Sequence, residues 1–185
     1  MQLSRQCRAG PRRQNRPYQT IRSILHLPLQ SRPFEQKLAR FVELQPANPL
    51  ANFFYAMAVW KQKGQSIDPA TLQRVETMLT KAVTIDPRCS EAYLQLGVLN
   101  ASQHNYSKAI GFYTKAIETS PQLSEAHYRL GVAYDRVGDS SKARQELQLH
   151  GELEMQLAAD VERQRLQVHQ FLVVEPVKPI DVQAH

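Results

Sequence analysis

The stretch from Ser90 to Pro121 recurs 34 residues downstream, and a chain with that period has few ways to fold. Sliding the sequence by this step lays Pro87 on Pro121, Ser90-Glu91-Ala92 on Ser124-Glu125-Ala126 and Leu96-Gly97-Val98 on Leu130-Gly131-Val132. Ser107-Lys108-Ala109 falls on Ser141-Lys142-Ala143 in the same way. A fixed period of this size marks a solenoid, in which each unit buries its apolar face only by stacking on its neighbours.

The spacing inside each unit reads as two helices joined by a turn. Gly97 and Gly131 sit within helical patterns, where glycine costs about 1 kcal/mol relative to alanine. Close approach of two helix backbones offsets that cost, and Ala109 and Ala143 are expected to face the glycines from the second helix. Tyr93, Leu96, Tyr113 and Ile117 fall on one seam at helical spacing. Asn105 and Gly138-Asp139 are turn-forming residues at the hairpin bends. Ser107 and Ser140 or Ser141 are candidate N-caps. Pro87 and Pro121 close one hairpin and open the next, because the residue before a proline is pushed out of the α region.

With these residues in place, the chain resembles the tetratricopeptide repeat family over roughly residues 48–155. The repeat from Ser90 holds Tyr93, Leu96, Gly97, Ala109, Tyr113, Ala116 and Pro121 at signature positions and departs at Asn100. The next holds Leu130, Gly131, Tyr134, Ala143 and Leu147, and departs at His127, His150 and Met155. The resemblance implies an all-α, right-handed superhelix of helical hairpins whose first helices line a concave groove. By that resemblance the groove is lined by Tyr55, Val59, Glu91, Leu94, Val98, Ala101, Glu125, Tyr128, Val132 and Asp135. An extended peptide or a helix of another protein is the partner such a lining implies. Family members that grip acidic chaperone tails do so with several convergent Lys, Asn and Arg side chains. Here those inner positions are mostly apolar and Arg129 is the one cation that fits, so chaperone-tail binding is not expected. The style of the repeats resembles that of bacterial proteins.

The flanks divide the rest of the chain. Residues 1–33 carry seven arginines and no acid, and read as a disordered segment or a decayed repeat. Residues 34–47, with Phe34, Leu38, Phe41 and Val42 on one stripe, read as a half-repeat or a capping helix. Residues 48–87 form a divergent repeat whose turn, Gly64 to Pro69, is lengthened; regular repeats follow at 88–121 and 122–155. Ala143, Leu147, His150, Leu153, Leu157 and Val161 continue one stripe with no proline before Pro176. A long helix over 140–170, with Gly151 as the candidate break, therefore ends in a capping segment at 156–172. Residues 173–185 read as a mobile tail.

Charge and chemistry narrow the function. The net +6 belongs to the first 33 residues, since the remaining 16 basic residues meet all 17 acidic ones. The repeat body thus lacks the basic footprint of a nucleic-acid-binding solenoid, and any such contact falls to the arginine-rich segment. That segment would also suit a mitochondrial presequence in a eukaryotic source. Cys7 and Cys89 stand far apart and read as reduced thiols. No run of 18 apolar residues spans a membrane, and a cytoplasmic location is expected. The sequence holds no phosphate loop, HExxH, paired CxxC or GxSxG. Six histidines fall in six elements; His127 and His150 replace packing residues and read as hole-filling imidazoles, with no convergent carboxylate legible. The expectation is a non-catalytic interaction module with no cofactor and no metal. The alternatives are the repeat portion of a larger enzyme or assembly protein, and a basic segment that binds nucleic acid or anionic membrane.

Overall fold

The computed structural model describes residues 32–63 and 68–173, and every regular element in them is a helix. These are α1 (Arg32–Leu44), α2 (Pro49–Lys63), α3 (Pro69–Ile85), α4 (Ser90–Ser102), α5 (Tyr106–Thr119), α6 (Ser124–Arg136) and α7 (Ser140–Val173). The arginine-rich segment through residue 31, the lengthened turn at 64–67 and the tail from 174 lie outside the described residues. Each helix packs on the next in sequence, and α4 also touches α6. The chain is thus an all-α stack of helical hairpins, as the period implied. None of the described helices is long and apolar enough to cross a membrane.

The core runs as two clusters that meet at α4. Leu38 and Phe41 of α1, Phe54 and Ala58 of α2, Val75, Leu79 and Ala82 of α3, and Ala92 and Leu96 of α4 form the first. Leu94 of α4, Ala109, Tyr113 and Ala116 of α5, and Ala126, Leu130 and Ala133 of α6 form the second. One helix therefore sends Leu96 back into its predecessor and Leu94 forward into its successor, which is how stacking buries what a lone hairpin would expose.

The glycines make room for a different neighbour than expected. A Cβ at Gly97 would overlap the Tyr113 ring, with Cζ 2.9 Å away; at Gly131 it would meet Leu147 Cγ at 2.9 Å and the Ala143 carbonyl at 3.1 Å. The expected pairing of glycine with alanine is corrected to glycine beneath a large side chain. The alanines are buried beside it, and at Gly131 the opposing backbone itself comes close. Burial pushes the Tyr113 hydroxyl up to about 12.

Both hairpin turns are Schellman motifs. His104 takes a left-handed φ of 61° and Gly138 one of 87°, in equivalent positions. Asn105 N–H donates to Asn100 O (2.9 Å) and His104 N–H to Ala101 O (3.0 Å); Asp139 N–H donates to Tyr134 O (2.9 Å) and Gly138 N–H to Asp135 O (3.1 Å). The serines expected as caps lie inside the helices. Asn105 precedes α5, and Asp139 caps α7 by accepting from Lys142 N–H at 3.2 Å. The Lys142 side chain, 2.8 Å away, joins that bond in holding the Asp139 carboxyl below the usual range. The cap therefore stays charged until pH falls through that lowered range. At α3 the cap is Asp68, which accepts from Thr71 N–H (2.8 Å) and Thr71 Oγ1 (2.7 Å) ahead of Pro69.

The last helix is unbroken from Ser140 to Val173, so Gly151 is no break. Where the preceding repeat has Pro121, this one has Met155, and a single glycine among good helix formers costs only about 1 kcal/mol. Cys89 is fully buried, and Cys7 lies outside the described residues.

Gly97→Ala is expected to lower stability by about 2 kcal/mol in urea unfolding, overpacking outweighing the gain in helix propensity. Most of that loss should disappear on a Tyr113→Leu background. Gly138→Ala, with open space around it, should still cost about 1 kcal/mol because of its left-handed φ.

Candidate functional site

The first helices of successive repeats lie side by side, and residues three and four apart on each share one face. On α4 that face carries Glu91, Leu94, Val98 and Ala101; on α6 it carries Glu125, Tyr128, Val132 and Asp135. The structure divides the ten expected lining residues by burial. Tyr55, Val59 and Leu94 are buried in the two core clusters and are not available to a partner. Glu91, Val98, Ala101 and Val132 are half-buried, while Glu125, Tyr128 and Asp135 are exposed.

Two of the three exclusions, Tyr55 and Leu94, share a physical reason. Tyr55, Leu94 and Tyr128 hold the same place in successive first helices, which is a contact between neighbouring units. Leu94 is 3% exposed, clustered with Ala126, Leu130 and Ala133 of α6. Tyr128 is 44% exposed because no described first helix follows α6. At Tyr55 the Arg74 guanidinium lies 5.1 Å from the ring centre and donates to the hydroxyl. Burial nevertheless pushes that hydroxyl above its ordinary range, the nearby Arg74 charge opposing it.

The open lining is apolar at its centre and acidic at its margins. Val98, Ala101, Val132 and Tyr128 supply the apolar part. Ser90 Oγ donates to Glu91 (3.1 Å), and Glu125 accepts from Arg129 at 3.2 Å one turn away. Arg129, the one cation that fitted a carboxylate clamp, is therefore engaged by its own helix.

The substituted histidines bind α7 to α6. His127 is buried, with Nδ1 2.7 Å from Glu146 Oε2 and Nε2 3.1 Å from the Pro121 carbonyl oxygen. Glu146 is the convergent carboxylate that sequence reading missed. It lies 19 residues away and only the fold of α7 along α6 brings it in. His150 Nδ1 lies 3.1 Å from the Ser124 carbonyl oxygen, and its ring sits 5.3 Å from that of Tyr128, covering one side of it. Among the described residues no group of three or more His, Cys, Asp or Glu is arranged to hold a metal ion. Here the histidines span the joint between the last two helices. Glu146→Ala should cost about 2 kcal/mol of stability by leaving the imidazole without its charged partner. A His127→Phe background should remove most of that cost, measured as a double-mutant cycle.

Models of the tetratricopeptide repeat match residues 90–123 and 112–145. No curated protein matches the chain. Among solved structures it is similar to a crystal structure of MamA, with a TM-score of 0.60 and 24% identity over 68% of this chain and 70% of that one. A second crystal structure of MamA gives 0.58 and 24% over 69% and 66%. The segment of MamA from residue 41 to its end, from Desulfovibrio magneticus RS-1, gives 0.57 and 21% over 67% and 66%. At these identities the likeness shows a shared fold.

Proposed function

This chain is a tetratricopeptide repeat protein, and we propose that it is a non-catalytic scaffold that binds a peptide or helix of another protein along the inner face of α4 and α6. Stacked helical repeats serve as scaffolds for protein–protein contact because their curvature builds an extended surface from side chains at one phase. What supports the narrower reading is the state of that phase here. Val98, Ala101 and Val132 stay half-buried and Tyr128 stays exposed, so apolar surface remains after the repeats have packed on one another. Tyr128 is the anchor in this reading: a rigid aromatic with one face on His150 offers large contact area at small entropic cost.

The acidic margins of Glu91, Glu125 and Asp135 favour a segment with apolar side chains flanked by basic ones over an acidic tail. A peptide-array screen followed by titration of the best binder tests the proposal. Tyr128→Ala and Val98→Arg should each weaken binding by about tenfold or more, with helicity unchanged by circular dichroism. A partner whose affinity neither variant alters would place recognition elsewhere on the stack.

A further inference from the structure

The open face of α4 and α6 is uneven in charge. Val98, Ala101, Tyr128 and Val132 supply its apolar centre, and Glu91, Glu125 and Asp135 stand at its margins. α4 contains no lysine or arginine. On α6 the base beside this face is Arg129, 3.2 Å from Glu125. Three carboxylates thus meet one guanidinium, and the face keeps a net negative charge. An apolar strip with such a rim takes a segment that interleaves large apolar side chains with cations and carries no acid.

The sequence itself contains such a segment. The 31 residues ahead of α1 hold six arginines and no Asp or Glu. Within 12–25, Arg12, Arg13, Arg16 and Arg22 are interleaved with Tyr18, Ile21, Ile24 and Leu25. We infer that this stretch occupies the inner face of α4 and α6 of its own chain and competes there with an external partner. The inference rests on that face being a peptide-binding surface. Reach allows it. A chain of this length spans up to about 100 Å, and five helix-to-helix steps of about 9 Å separate α1 from α6. The tether also selects the occupant. It holds the segment near the face at an effective concentration on the order of millimolar, which the same segment of a second copy would have to match in free solution. A nucleic acid or an anionic membrane would engage the arginines but would be repelled by the acidic margins.

Photocrosslinking of the full chain tests it, with p-benzoylphenylalanine in place of Tyr128, whose side chain is 44% exposed and so tolerates the exchange. The expected product keeps the 21.2 kDa mass of one chain and links position 128 to residues of 12–25. Glu125→Lys with Asp135→Lys should cut the yield about fivefold, as should Arg12→Glu with Arg13→Glu and Arg16→Glu. Combining the two sets should restore it to within about twofold. The arginine reversals alone should tighten binding of the best array peptide about tenfold, because the competitor has gone. A product of twice the chain mass, which puts a second copy's segment on the face, overturns the inference. So do links that miss 12–25, or charge reversals that do not rescue each other. If array-peptide binding still falls on Tyr128→Ala in those cases, the inner face stands as a recognition surface and only its self-coverage is lost. If that binding is indifferent to Tyr128 as well, both readings fail.

Discussion

A missing side chain sets the geometry of the stack. At Gly97 the absence of a Cβ lets the Tyr113 ring lie on the opposing helix, and at Gly131 it admits Leu147 and the Ala143 carbonyl. Filling these holes with large side chains brings the two helices of each hairpin close, and repeating the contact gives successive first helices a common phase. A face of partly exposed apolar residues on α4 and α6 exists only because that phase is kept. The helical cost of each glycine is local, whereas the dispersion and burial it permits are shared across the hairpin.

The ends of a solenoid show what its interior hides. Leu94 and Tyr128 occupy equivalent places, yet one is enclosed by the next unit and the other is not. The second helix of the last repeat meets no proline at the place of Pro121 and continues as α7. Its near half covers α6, tied there by Glu146 and His150, while its far half keeps the same stripe without a neighbour among the described residues.

Much of this order is legible in the residues because repeats state the same packing rule twice. Aligning Ser90–Pro121 with its copy exposes the glycines, the buried alanines and the stripe of α7 without reference to distance. Contacts made once are harder to read. His104 adopts the left-handed turn that glycine fills at 138, and nothing in its identity announces this beforehand. Glu146 looks like any solvated acid on a helix until α7 lies along α6 and delivers it to His127. The lining residues Tyr55, Val59 and Leu94 share their phase with Val98, yet neighbouring units enclose them. Phase fixes the direction in which a side chain points but carries no information about what stands in front of it.

The sequence by itself determined that this chain is a stack of helical hairpins, because period, small residues and inter-repeat prolines are local properties that survive without coordinates. It also determined which helical face each residue belongs to, since that follows from 3.6 residues per turn. Only the tertiary structure decided which side chains on a face stay open, which acid meets which histidine, and where α7 leaves its support. Those outcomes depend on the separation of residues distant in the chain, and that separation is set by packing.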